Sequence, residues 1–154
     1  MRAVLQRVRR ATVSVDGTEV GRCGSGYLIL LGVAPHDSDR TAQLLWDKVS
    51  HLRVFADETG RMNRSLLDVS GEVLVVSQFT LYADCRRGRR PSFAGAAEPA
   101  VASRLYERFC SLAEADVAQV GRGTFGAHME VSLVNDGPVT ICLDTDELTT
   151  PRHR

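Results

Sequence analysis

Two short segments carry the side chains with which this chain could do chemistry. In the first, Ser77-Gln78-Phe79-Thr80-Leu81-Tyr82, three polar side chains (Ser77, Gln78 and Thr80) close a run of β-branched apolar residues. A hydroxyl or amide removed from water costs free energy unless it is hydrogen-bonded, so these groups need internal partners or a ligand. A serine nucleophile would need an activating histidine. Such triads assemble across sequence distance, but no G-x-S-x-G elbow marks one here. The second segment, Asn135-Asp136-Gly137-Pro138-Val139-Thr140, is made of turn formers and by itself reads as a turn between two strands. The isomer of its Gly137–Pro138 bond is not legible from the letters.

A third cluster is electrostatic. Arg86, Arg87, Arg89 and Arg90 crowd into Cys85-Arg86-Arg87-Gly88-Arg89-Arg90-Pro91, and Lys48 is the one lysine among 19 basic residues. The planar fork of arginine suits phosphate and stacks on bases. The same run also fits an ordinary solvated loop. A formal net charge of +0 argues against capture of nucleic acid by bulk attraction.

Other chemistries lack their residues. Gly121-Arg122-Gly123-Thr124-Phe125-Gly126 fits G-x-G-x-x-G by letter, but a dinucleotide site needs a strand before it and a helix after it. Here the pattern leads into 127–134, which reads as strand. There is no Walker A sequence. His36, His51, His128 and His153 are scattered, so no metal and no cofactor is expected. His128 alone lies near the later motifs, and a lone histidine is more often a surface or packing residue than a base. Cys23, Cys85, Cys110 and Cys142 are widely spread without a C-x-x-C pair and read as free thiols.

The elements that must position these groups follow from periodicity. Residues 2–16 alternate as a strand and turn at Asp16-Gly17 into a second strand ending near Arg22. Residues 27–33 are apolar on both faces, as in a central strand, and Pro35 ends it. Ser38 or Asp39 caps a helix whose apolar face is Ala42, Leu45, Trp46, Val49 and Leu52. Residues 53–56 resume as strand, 61–68 as loop, and 72–79 as a strand that ends in the first chemical segment. A polar loop, 84–96, holds the arginines. Pro99 opens a second helix, to about Ala113, with Val101, Leu105, Phe109 and Leu112 as its buried stripe. Strands 129–134 and 139–143 close the chain.

At 154 residues, 44% hydrophobic and 25% charged, the chain suits one globular domain at 1–145, with a frayed polar tail at 146–154. The expected fold is α+β: a curved, mostly antiparallel, barrel-like sheet with two principal helices. No apolar run approaches the ~20 residues that span a bilayer, and the N-terminal stretch lacks a signal peptide's apolar core. No membrane association and a cytoplasmic location are therefore expected.

SQFTLYADCRRGRRPSF and VSLVNDGPVT together resemble the two signature stretches of the D-aminoacyl-tRNA deacylases. The likeness extends through MRAVLQRVRRATVSVDG, LLGV, RMNRSLLDV and GRGTFGAHMEVSL, from Met1 to about Asp144. It implies an enzyme that hydrolyses the ester between a D-amino acid and the 3′ end of tRNA. It further implies a homodimer in which a cis Gly137–Pro138 wall of one subunit enters the other's site. There the wall rejects L-side chains and lets glycine through, with Arg7 bracing the loop.

Ser77, Gln78, Phe79 and Thr80 match the residues around the scissile ester, and Phe125 and Met129 match positions near the terminal adenosine. Arg86, Arg87, Arg89 and Arg90 become contacts to tRNA phosphate. The resemblance leaves two mechanisms open. Thr80 could be a covalent nucleophile, although no base lies near it in sequence. Alternatively, the terminal 2′-hydroxyl of the tRNA could assist water. Two rival functions stand beside this one: a relative with a trans Gly–Pro bond that tolerates small L-amino acids, and a non-catalytic nucleic-acid-binding module. His128 and Glu130, flanking Met129, depart from the acidic and basic residues expected there.

Overall fold

The computed structural model describes residues 1–152. His153 and the last residue of the tail lie outside them. The longest early strand, β1 (Arg2–Val15), organises the sheet. One edge is divided between two partners: its second half pairs with β2 (Thr18–Cys23) and its first half with β3 (Gly26–Gly32), both antiparallel. Asp16 and Gly17, with φ of 49° and 79°, form the tight turn into β2.

The helix α1 (Asp39–His51) connects β3 to the parallel strand β6 (Glu72–Ser77), and α2 (Pro99–Asp116) connects β6 to the parallel β7 (Val120–Arg122). Between α1 and β6, β4 (Phe55–Ala56) and β5 (Met62–Arg64) pair as a small separate hairpin. The other edge of β1 carries β8 (Glu130–Asp144) along nearly its whole length.

The sheet order β2-β1-β3-β6-β7 curls until its two ends almost meet. A Cβ on Gly21 would lie 2.3 Å from Arg122 O, and one on Gly121 would lie 2.3 Å from Arg22 O. Only glycine permits that backbone approach, so these two positions nearly close the barrel. β3 is apolar on both faces because it separates two cores. Tyr27, Ile29 and Leu31 pack toward Trp46 and Phe109 of the helices, whereas Leu28 joins Val8, Val13, Leu74 and Val76 in a second cluster. The hydroxyl of Tyr106 donates to Val75 O at 2.8 Å, and Trp46 Nε1 donates to Asp116 at 2.8 Å, tying α2 to the sheet and to α1. Among the described residues no helix is long and apolar enough to cross a membrane.

Several local expectations change. The segments 129–134 and 139–143 are not a hairpin. Both pair with β1 in one direction, and the register jumps from Val8↔Asn135 to Gln6↔Thr140. The intervening turn formers make a bulge in a single strand. The preceding strand stops at Ser77 rather than Phe79, and the chain enters a 3-10 turn, Phe79–Tyr82.

Helix α2 runs past Ala113 to Asp116 and buries Ala102, Tyr106, Cys110 and Ala113 with Leu105 and Phe109. Val101 is exposed and Leu112 is half-buried, because the sheet takes a wider stripe than the large residues alone indicate. Residues 145–149 are not frayed. They form α3 (Thr145–Thr149), capped by the Asp144 side chain, and the buried Thr145 hydroxyl accepts from the Met1 ammonium at 2.7 Å. That ammonium also pairs with the buried Asp37 at 2.7 Å.

Candidate active site

Strand β6 is buried from Val73 to Val76, so the first residues beyond its carboxyl end emerge at the rim of the sheet. Gln78 N–H still bonds Leu31 O at 2.8 Å, after which the chain turns, with Leu81 N–H donating to Gln78 O at 3.2 Å. Gly32 of β3 makes room, since a Cβ there would lie 3.1 Å from both Gln78 O and Leu81 Cβ.

A cavity of about 640 Å³ opens at this point. Ser77, Gln78 and Phe79 line one side, and Phe125, His128 and Met129, from the segment joining β7 to β8, line another. Phe93 and Ala97, from the loop before α2, complete the wall. Met129 fits because residue 123 is glycine; a Cβ there would meet its sulfur at 2.8 Å.

The cavity combines backbone and amide dipoles with two ionisable side chains. Phe79 and Thr80 precede the first hydrogen bond of the 3-10 turn, and their N–H groups take no partner among the described residues. Free N–H groups at a fixed turn can stabilise a carbonyl oxygen that gains negative charge. The Thr80 hydroxyl accepts a hydrogen bond from the Gln78 amide. An amide N–H is a donor, not a base, and among the described residues no histidine or carboxylate bonds to Thr80. Thr80 is exposed and lies outside the lining of the cavity. Glu98 and His128 are the ionisable residues of the lining.

Gly137 and Pro138 are elsewhere. They are exposed at the tip of the β8 bulge, joined by a cis peptide bond, and do not line the cavity of their own chain. Two side chains hold the bulge. Asn135 bridges it, accepting from Val139 N–H at 2.9 Å and donating to Val139 O at 3.1 Å. Arg7 is 13% exposed; its Nε donates to Asp136 O at 2.9 Å and its Nη1 to Val54 O at 2.5 Å. Gly137 has φ of 147°, and a Cβ there would lie 2.7 Å from Val139 N. Any other residue would push the bulge out of shape.

The arginines of the loop stay outside the lining of the cavity. Arg86 and Arg87 line a separate hollow with Asp84 and Ser92, and Arg89 and Arg90 are exposed. Arg86 is engaged locally, pairing with Asp84 at 2.7 Å. Hydrogen bonding to Arg86 holds the Asp84 carboxyl down at about 2. Arg87, Arg89 and Arg90 have no ion-pair partner among the described residues.

The structure thus gathers Ser77, Gln78, Phe79, Phe125 and Met129 at one cavity and leaves Thr80, Arg7, Gly137, Pro138 and the arginines outside it. Three contributors escape sequence reasoning. Val54 acts through its backbone carbonyl, which no side-chain pattern reveals. Asn135 reads as an ordinary turn former. Phe93 sits in a polar loop where a single aromatic carries no periodic signal.

A family profile described as D-Tyr-tRNA(Tyr) deacylase matches residues 4–144. A D-aminoacyl-tRNA deacylase of Roseiflexus castenholzii (strain DSM 13941 / HLO8) is 58% identical over 154 residues, covering 100% of this chain and 98% of that protein. Among solved structures, the c-Myc DNA Unwinding Element Binding Protein superposes with a TM-score of 0.87 at 39% identity, covering 94% of this chain and 98% of its own. A probable eukaryotic D-amino acid tRNA deacylase superposes with a TM-score of 0.81, covering 92% and 97%; at 20% identity that likeness concerns the fold.

Proposed function

The chain belongs to the D-Tyr-tRNA(Tyr) deacylase family, and on that premise we propose how it works as an ester hydrolase that removes D-amino acids from the 3′ end of tRNA. The observation that carries this reading is the cavity at the end of β6, where Ser77, Gln78 and Phe79 face Phe125 and Met129 beside an arginine-rich loop. Residues 1–145 make up the catalytic unit. It acts in the cytoplasm, where tRNA is charged.

The terminal nucleoside enters against Phe125 and Met129, which brings the ester to the Phe79–Thr80 turn. Water adds to the ester carbonyl carbon, and the carbonyl oxygen takes negative charge toward the Phe79 and Thr80 N–H groups. Collapse of that intermediate expels the 3′-oxygen of the tRNA, which takes up a proton, and releases the free D-amino acid. The terminal 2′-hydroxyl of the tRNA assists the attacking water. Thr80 is not the nucleophile, because its hydroxyl accepts from Gln78 and no base among the described residues bonds to it.

Selection against L-amino acids falls to Gly137 and Pro138, supplied across a homodimer. Support comes from a bulge that is exposed, clamped by Arg7 and Asn135, and outside the lining of the cavity of its own chain. A backbone wall rejects by collision and reads no side chain, so it accepts many D-residues and lets glycine pass.

Hydrolysis of matched D- and L-tyrosyl-tRNA by the purified protein tests the reading. Rapid loss of the D-ester alone is expected. Hydrolysis of both esters would mean a relaxed wall that tolerates L-amino acids. The DNA-binding name of the 39% identical structure favours one second reading, a nucleic-acid-binding module without catalysis. Binding of tRNA with hydrolysis of neither ester would establish that reading instead.

A further inference from the structure

Phe93 marks the place where the cavity meets the arginine loop. Its ring lines the cavity and packs edge-on against Phe79, with centroids 5.1 Å apart and planes at 75°. The preceding residue, Ser92, lines the hollow that contains Arg86 and Arg87. The backbone here is pinned from both sides. Ser92 and Asp84 exchange hydrogen bonds of 2.9 and 2.7 Å, and Ala97 N–H donates to Val33 O at 2.9 Å. Both rings nevertheless keep large free surfaces, 56% exposed for Phe79 and 38% for Phe93.

Exposed aromatic faces beside guanidinium groups that have no ion-pair partner among the described residues have the composition of a platform for single-stranded nucleic acid. The charges follow phosphates and the rings stack bases, whatever their identity, because every base has a π-face. We propose that Phe93, with Phe79, stacks the penultimate base of the tRNA acceptor end at the cavity mouth. This inference rests on the deacylase reading. A strand whose last nucleoside lies against Phe125 and Met129, and whose backbone reaches Arg87, passes the Phe79–Phe93 pair, which lines the cavity and adjoins Ser92 of the arginine hollow. The stack then fixes the reach of the terminal ester into the cavity without reading sequence.

The test compares two esters: D-tyrosyl-tRNA, and D-tyrosine esterified to adenosine alone, which has no penultimate base. Phe93→Leu keeps an apolar side chain against Phe79 but removes the π-face, and Phe93→Trp restores one. For Phe93→Leu, KM for the tRNA ester is expected to rise about tenfold relative to its change on the adenosine ester, the size of one base–aromatic stack. Phe93→Trp is expected to recover it. Equal changes on both esters, no change on either, or no recovery by tryptophan would overturn the proposal.

Binding of uncharged tRNA, with or without its last two nucleotides, gives a readout independent of turnover. The unaltered protein should prefer the complete end and Phe93→Leu should lose that preference; a retained preference rejects the stack. Failure of the unaltered protein to hydrolyse D-tyrosyl-tRNA would instead reject the deacylase reading itself.

Discussion

At the scale of single residues, the polar groups at the site divide into donors in place and charges already committed. Thr80 receives a hydrogen bond and has no base among the described residues, so removing its hydroxyl should cost little. Thr80→Ala is expected to keep kcat on D-tyrosyl-tRNA within about tenfold of the parent, against the far larger loss that follows removal of a true nucleophile. Complete inactivity with normal folding and tRNA binding would restore Thr80 as the attacking group.

The arginines differ among themselves for a related reason. The Asp84 carboxyl, normally near 3.8, is lowered to about 2 by its hydrogen bond to Arg86. A depressed carboxyl contributes to the fold above its unfolded value and stops contributing as pH falls through its folded value. The Asp84–Arg86 pair is therefore intact at neutral pH and loosens only in the window from about 4 down to 2. Arg89 and Arg90 have no such partner among the described residues. Replacing both by glutamine should reduce the slope of log affinity for tRNA against log salt by about 1.4, the value for two contacts to a single strand. Arg86→Gln alone should change that slope less than Arg89→Gln. Equal slopes in all three variants would remove the loop from the tRNA contact.

At the scale of elements, a glycine pair and a strand bulge decide shape. Gly21 and Gly121 let β2 and β7 approach until backbone nearly touches backbone, 2.3 Å from where a Cβ would sit. Gly121→Ala should lower stability by about 2–3 kcal/mol and the melting midpoint by roughly 4–10 °C, through opening of the barrel seam. A midpoint within a degree of the parent would show that the seam is not closed in solution.

The bulge in β8 is the second case. Arg7 bonds the carbonyls of Asp136 and Val54 together and so couples it to the segment that leads into β4. Arg7→Ala removes one donor from two carbonyls and should cost about 1–3 kcal/mol of stability. Its diagnostic effect should be on selectivity: the ratio of D- to L-tyrosyl-tRNA hydrolysis falls as the bulge loosens. An unchanged ratio would separate the bulge from chiral selection.

At the scale of the whole molecule, the bulge and the cavity it serves are expected to come from different subunits. Complementation tests that arrangement directly. Gly137→Val should push the bulge out of shape so that it obstructs the cavity it enters, and Phe79→Pro should remove one of the N–H groups at the reaction centre, each inactivating its own homodimer. Subunits exchanged between the two should recover D-ester hydrolysis, because one composite site in each mixed dimer is intact. No recovery, in a mixture shown to contain mixed dimers, would place both parts of the site in one chain.

Much of this architecture is local and was legible in the residues. Alternation marked β1, the Asp16-Gly17 turn marked its hairpin, and the spacing of Leu45, Trp46 and Val49 marked α1, because each depends on neighbours within a few positions. The two motifs at 77–82 and 135–140 also stood out in the letters. Their geometry did not. Asn135 to Pro138 are turn formers, and a turn and a strand bulge use the same residues; only pairing of both flanks with β1, more than a hundred positions away, decides between them.

Likewise the short strand β7 gains its partners from β6, and α3 gains its anchor from the Met1 ammonium at the opposite end of the chain. The sequence alone determined the composition of the site and the elements that bear it. The closing of the barrel, the clamp of Arg7 on Val54 and the meeting of Phe79 with Phe93 were decided by tertiary structure, because each joins groups whose only relation is distance in space.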